Sequence, residues 1–200
     1  MRAHSVKDGV TLYCVRHGQT DWNAQSRYQG QMDVPLNEAG RLQAKRNGQV
    51  LRSLLPGIAQ AQYVSSPLGR ARETMQILRR ELGLEPDIFA LDDRLKEVHY
   101  GDWEGQLLET LLETEAEGIA ARKADPYNFR PPQGESYADL LERMRGWLDT
   151  VDVDTVVTTH GGITRTMRAY LLDLDPNRIL DLDVPQDRVL VIGRGEMHWL

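Results

Sequence analysis

Two short β-branched runs in this chain each end in a histidine followed by glycine. That coincidence constrains fold and chemistry together. Residues 10–15 run into Arg16-His17-Gly18, and residues 155–159 run into His160-Gly161-Gly162. Short apolar runs of this kind predict buried strands. In open α/β sheets, ligands bind beyond the carboxyl ends of the strands, so both imidazoles are expected at one ligand-binding edge.

The intervening pattern fits such a sheet. Asn37 predicts the N-cap of a helix running to about Leu55 and closed by Pro56-Gly57. Residues 61–65 predict a second strand. The next helix is the clearest element: Ser66 as N-cap, Pro67 at its first position, and Leu68, Ala71, Met75, Leu78 and Leu82 along one face, with Gly83 closing it. Residues 86–90 predict a third strand. Residues 107–118 read as one acidic amphipathic helix with Glu109, Glu113, Glu115 and Glu117 solvated, and 125–134 as loop. Ser136 predicts the cap of a helix with Tyr137, Leu140, Leu141, Met144, Trp147, Leu148 and Val151 on one face. A helix follows Gly162, carrying Ile163, Met167, Tyr170 and Leu171. Residues 188–192 and 197–200 predict closing strands. Strands alternating with helices imply a three-layer α/β fold with a mostly parallel sheet.

The groups at the predicted edge suit a phosphoryl dianion. Arg16 precedes His17, and Arg70 lies in the first turn of the clear helix. A planar guanidinium can hold two oxygens of one phosphoryl group. Gly161 and Gly162 open a helix whose free N–H groups favour an anion. Bulk properties limit the partners. The net charge of −6 argues against a nucleic-acid surface, which must be basic. No apolar run approaches the roughly 20 residues of a membrane span. The lone Cys14 rules out an internal disulfide, and residues 1–9 hold no signal-peptide core, so a cytoplasmic protein is expected. No paired-cysteine or His-Glu-x-x-His pattern points to a metal, and no cofactor is expected. Cys14 also lacks an arginine six residues on, where a cysteine phosphatase loop needs one; Thr20 stands there. His4 and His198, near the ends, read as incidental.

At this point the residues resemble a family. Arg16-His17-Gly18-Gln19-Thr20, Asn23, Arg27, Gly30, Asp33, Pro35-Leu36-Asn37 and Gly40 are similar to the opening signature of the histidine phosphatase (phosphoglycerate mutase-like) superfamily. Ser65-Ser66-Pro67-Leu68, Arg70-Ala71 and Thr74 resemble its second block. Leu95, Glu97, Gly101, Trp103, Glu104 and Gly105 resemble the third. Gly134-Glu135-Ser136 and His160-Gly161-Gly162 resemble the last two. The blocks occur in order and cover most of the chain. The resemblance implies a three-layer α/β/α sandwich with a mostly parallel, mixed sheet. It implies one domain over 1–200, with a variable substrate-covering segment at about 107–137.

The resemblance also implies roles. His17 would be the nucleophile that becomes a phosphohistidine, and His160 would steady the phosphoryl group from across the pocket. Arg16 and Arg70 would clamp its oxygens. Glu97 would be proton donor and later base, with Glu104 as the rival carboxylate. Gly18, Thr20, Asn23, Gln29, Gly30, His99, Tyr100, Gly161 and Gly162 are the candidate phosphate- or substrate-binding residues. His99 is as readily structural.

The implied activity is hydrolysis of a small phosphorylated metabolite. The alternative is a cofactor-dependent phosphoglycerate mutase, which Glu97-Val98-His99-Tyr100-Gly101 resembles. Against it, the insertion before His160 is short, and Leu108 stands where mutases carry a lysine. No adjacent arginine pair lies between Glu97 and His160, and no basic tail follows the last strand. A mutase must also keep water from its phosphohistidine. A non-catalytic phosphate-binding module is the reading from another class. Trp103, Tyr127, Phe129 and the leucines are expected to form a partly apolar substrate wall. Sugar phosphates, nucleotide-like phosphates and phosphoglycerates all stay open as substrates. The oligomeric state, monomer or homodimer, is likewise open.

Overall fold

A computed structural model describes residues 6–54, 56–193 and 195–200. The strands are β1 (Thr11–Arg16), β2 (Gln62–Ser65), β3 (Ala90–Leu91), β4 (Thr155–Thr159), β5 (Val189–Gly193) and β6 (Glu196–Trp199). The helices are α1 (Asp21–Ala24), α2 (Glu38–Arg52), α3 (Gly69–Glu81), α4 (Leu108–Thr114), α5 (Ala116–Ala124), α6 (Tyr137–Leu148) and α7 (Gly161–Leu171). The strands form one mixed sheet in the order β3-β2-β4-β1-β5-β6. The first four run parallel, and β5 is antiparallel to both its neighbours.

Alternation along the strands builds two cores. Leu12 and Cys14 of β1, Val157 of β4, and Leu190 and Ile192 of β5 face one side. There Leu140, Met144 and Trp147 of α6 and Ile163 and Met167 of α7 cover them. Val15, Val156, Val189 and Val191 face the other side, under Leu51 of α2 and Met75, Leu78 and Leu82 from α3 and its C-cap. Successive strand residues point to opposite faces, so a sheet covered on both sides buries the residues at every position. All five residues of β4 are buried accordingly. The result is the α/β/α sandwich expected from the sequence.

Local signals account for most boundaries. Asn37 caps α2 by accepting from the Gly40 N–H at 2.9 Å. Ser136 and Asp139 form a reciprocal capping box at the start of α6. Cys14 is a buried packing residue whose thiol lies 3.6 Å from the Met167 sulfur. Burial pushes that thiol's pKa up.

Four expectations need correction. First, α3 begins at Gly69 with Leu68 as N-cap, two residues later than predicted. Ser66 is spent elsewhere: its Oγ lies 2.7 Å from His160 Nε2. Second, the acidic segment is two helices, broken at Glu115 (φ −130°, ψ 35°). They answer to different anchors, since α4 buries Leu111 whereas α5 brings Gly118 against Trp103. The four glutamates are exposed, as expected. Third, the third strand shrinks to an exposed two-residue edge. Fourth, α2 ends at Arg52; Leu55, where the sequence placed its end, lies outside the described residues, as does His4. His198 is exposed on β6.

Leu78 is fully buried between α3 and the sheet, whereas Leu42 on α2 is 63% exposed. Leu78→Ala is expected to cost about 2–5 kcal/mol by urea denaturation. Leu42→Ala should stay within about 0.5 kcal/mol. Equal losses at both sites would contradict this placement of the core.

Candidate active site

The parallel ladder between β1 and β4 pairs Arg16 with Thr159. One more bond extends it, from the His17 N–H to the Thr159 carbonyl at 2.9 Å. The chain therefore leaves both strands at the same level, and the two rings lie side by side. Their centroids are 5.1 Å apart with planes 57° to each other. Both side chains are buried.

The bonds at His17 set its tautomer. Nδ1 lies 2.8 Å from the Gly18 carbonyl oxygen, which can only accept, so Nδ1 carries the hydrogen. Nε2 then holds a lone pair, and Arg70 Nε donates to it at 3.2 Å. Arg70 is itself fixed, donating from Nη1 to the Met32 carbonyl and from Nη2 to the Gly30 carbonyl, each at 2.7 Å. Burial pulls its pKa down to about 10, which still leaves it cationic at neutral pH. The His17 pKa is lowered well below the usual imidazole value, first by burial and then by the Arg70 and Arg16 charges. Burial and the Arg70 charge lower that of His160 in the same way. Both rings are therefore neutral at pH 7.

Two buried polar atoms here have no partner among the described residues: Arg16 Nε and His160 Nδ1. Arg16 Nη1 is anchored on the Val184 carbonyl at 2.7 Å. Buried polar groups are normally hydrogen-bonded, so two orphans flanking one pair of rings point to a polar ligand.

The carboxylates separate clearly. Glu97 reaches the start of α7, where it accepts from the Gly162 N–H at 3.0 and 3.1 Å and from its neighbour Val98 at 2.9 Å. A Cβ at position 162 would lie 2.3 Å from Glu97 Oε1, so only glycine permits this approach. Glu104 is held by backbone groups outside the cleft lining. It accepts from the Gln31 and Tyr100 N–H groups at 2.8 and 3.0 Å. It also fills the space beside Gly30, whose φ of +51° and missing Cβ make room for it.

A cleft of about 200 Å³ gathers Arg16, His17, Asn23, Gln29, Gly30, Arg70, Glu97, Tyr100 and Gly161 of the expected set. His160 lies beneath it, against His17. Four other candidates do not line it. Gly18 donates its N–H to Thr74 at 3.1 Å, Gly162 serves Glu97, and Thr20 caps α1 and orients Asn23. His99 bonds the Gln133 carbonyl at 3.0 Å and lies 3.8 Å from Glu104, contacts that fit the structural one of its two readings. The apolar wall is also not as expected. Segment 107–137 gives the lining only Leu108, beside Tyr28 and Tyr100. Trp103 is buried against Phe129, and Tyr127 packs elsewhere, against the core under α6 and α7.

The sequence reading missed several residues. Arg165 lines the cleft, four residues along α7 from Gly161; that spacing marks one helix face and was a usable signal. Arg27, Ser26 and Tyr28 line it too. Gln186 donates to the His17 carbonyl and to Asn23 Oδ1, each at 3.1 Å. Arg143 of α6 donates to the carbonyls of Arg94, Lys96 and Glu97 and pairs with Glu135, which fixes the segment carrying Glu97. No local pattern announces either contact. Among the described residues, no group of three or more His, Cys, Asp or Glu gathers to hold a metal ion, and no helix is long and apolar enough to cross a membrane.

The model of the histidine phosphatase superfamily (branch 1) matches residues 12–200, and the chain belongs to that superfamily. Relatives under two different names are similar to this chain. Glucosyl-3-phosphoglycerate phosphatase of Mycobacterium tuberculosis is 36% identical over 176 residues, covering 82% of this chain and 75% of the relative. "Probable phosphoglycerate mutase GpmB" of Erwinia tasmaniensis is 33% identical over 196 residues, covering 96% and 88%. A mycobacterial glucosyl-3-phosphoglycerate phosphatase solved in complex with VO3 superposes with a TM-score of 0.79 at 31% identity, covering 96% of both chains.

The two lowered histidines make stability depend on pH. In the unfolded chain both rings protonate near the ordinary pKa of about 6.5, whereas the folded chain keeps them neutral. Below that pH the unfolded state binds more protons. Stability is then full above about pH 6.5 and falls by about 1.4 kcal/mol per pH unit for each ring as the pH drops. Urea midpoints between pH 7.5 and 5.5 should show this slope, and His160→Asn should remove about half of it. An unchanged slope in the variant would contradict the assignment.

Proposed function

We propose that this protein is a metal-independent phosphomonoesterase that passes the phosphoryl group of a small metabolite through His17 to water. The observation that carries the reading is the His17 tautomer. With Nδ1–H held by the Gly18 carbonyl, the Nε2 lone pair faces the side on which Arg70 donates. An imidazole nucleophile needs that arrangement.

In the first step, Nε2 of His17 attacks phosphorus, the P–N bond forms and the P–O ester bond breaks. Glu97 gives its proton to the departing oxygen. In the second step, water attacks phosphorus while Glu97 takes its proton, and the P–N bond breaks to return the lone pair to His17. Inorganic phosphate leaves. Phosphoryl transfer calls mainly for alignment and charge stabilisation. Arg16, Arg70 and His160 supply these, with Asn23, Gln29 and the Gly161 N–H around the oxygens. Glu97 is preferred to Glu104 because only Glu97 lines the cleft. Hydrolysis is preferred to mutase chemistry because Leu108 occupies the cleft wall where mutases carry a lysine, and because glucosyl-3-phosphoglycerate phosphatases recur among both the sequence relatives and the solved structures similar to this chain. The buried lone thiol of Cys14 fits a reducing compartment, and we place the enzyme in the cytoplasm.

Purified protein is expected to release phosphate from p-nitrophenyl phosphate and from members of a metabolite panel that includes glucosyl-3-phosphoglycerate and 3-phosphoglycerate. His17→Ala should abolish turnover. Glu97→Gln should lower kcat/KM by about 10²–10⁴ on alkyl esters. Rapid interconversion of 2- and 3-phosphoglycerate in the presence of the bisphosphorylated compound would favour the mutase. An inactive wild type that still binds phosphate would favour the non-catalytic module.

A further inference from the structure

The cleft over His17 does not end at Leu108. A second groove, of about 530 Å³, is lined by Ala24, Gln25, Leu107 and Glu109. It shares Ser26, Arg27 and Leu108 with the cleft, so the two spaces meet along one wall. By itself the inner cleft, at about 200 Å³, lies below the roughly 300–1,000 Å³ typical of small-molecule sites. The two spaces together fall inside that range.

The shared wall is a built feature. Arg27 and Leu107 form an antiparallel bridge. The Tyr28 N–H donates to the Gln106 carbonyl at 3.0 Å, and the Gly105 N–H donates to the Tyr28 carbonyl at 2.8 Å. The Arg27 guanidinium is fixed at the junction by the Gly105 carbonyl and by Gln25 Oε1, with its face toward Trp22. Ser26, a non-glycine residue at φ +55°, turns the chain at the same point. Such strain tends to persist where function holds it.

The two compartments differ in chemistry. The inner one concentrates Arg16, Arg70 and Arg165 beside a single carboxylate, Glu97, and suits the anionic end of a ligand. The outer groove balances Arg27 against Glu109 and otherwise offers Gln25, Ser26, Leu108 and Ala24. Short polar groups next to small apolar ones match a molecule with hydroxyls on its rim and C–H bonds on its face. No aromatic ring lines this groove to stack a nucleobase.

We propose that the outer groove is a subsite for an uncharged, hydroxyl-rich, sugar-sized group joined to the phosphoester, and that the preferred substrate spans both compartments. This rests on the phosphatase reading above and adds the part of the substrate that reading leaves unspecified. Ala24 and Glu109 are both exposed and take no part in the inner cleft, so bulk added there narrows the groove alone.

The test compares kcat/KM for sn-glycerol 3-phosphate and its 2-O-glucosylated counterpart in the wild type, in Ala24→Trp and in Glu109→Trp, with circular dichroism as the check of folding. The glucosylated ester should lead by at least about tenfold in the wild type. Each tryptophan should cut that ratio at least about fivefold, and either folded variant suffices. Equal kcat/KM for the two esters in the wild type overturns the subsite. So does a ratio that neither folded variant moves, or a stronger preference for nucleoside 5′-phosphates. Failure of the wild type to hydrolyse any phosphomonoester is a different result, because it removes the phosphatase reading itself.

Discussion

The structure depends on the ladder that joins β1 to β4. These two parallel strands are far apart in sequence, yet their register stops both chains at the same level, and the bond from His17 to Thr159 carries the pairing one residue past the strand. A shift of one residue would turn every side chain of the strand to the opposite face. Leu12 and Cys14 would leave the α6–α7 core, and His17 would leave His160. The hydrophobic sandwich and the histidine pair are therefore consequences of one register.

Electrostatics explains how such a site tolerates its charges. A buried guanidinium is costly unless its N–H groups are satisfied. Arg70 answers that demand with two backbone carbonyls and the His17 lone pair, whereas Arg16 is anchored on the Val184 carbonyl and leaves its buried Nε–H without a partner among the described residues. Burial first, and the same cations second, keep both imidazoles neutral. In the proposed reaction, the positive charge that draws in a phosphoryl group thus also helps to preserve the lone pair that attacks it. Glu97, bonded to the first turn of α7, adds the single carboxylate of the cleft without pairing directly with either arginine.

Much of this was legible in the sequence because it is local. The strand-His-Gly pattern, the Asn37 and Ser136 caps and the spacing from Ala71 to Leu82 all report the chain's own periodicity and turn chemistry. The family blocks then located Arg16, His17, Arg70, Glu97 and His160, which the fold brings to one place. What could not be read depends on distant partners. Ser66 looked like a cap because serine before proline often is one, but His160, remote in sequence, claims its hydroxyl. His99 sits beside the acid block in sequence and outside the cleft in space. The grip of Arg143 on the Glu97 segment and that of Gln186 on His17 exist only after folding.

The central claim is that one nitrogen, Nε2 of His17, carries the phosphoryl group between ester and water. Rapid quenching of a turning-over sample into alkali, followed by peptide mapping, tests it most directly. The expected result is an alkali-stable, acid-labile phosphoryl group on the peptide containing His17, appearing and decaying at rates compatible with turnover. A phosphoryl group found instead on the His160 peptide, or none trapped at any time while ester is consumed in a single turnover, would contradict the account.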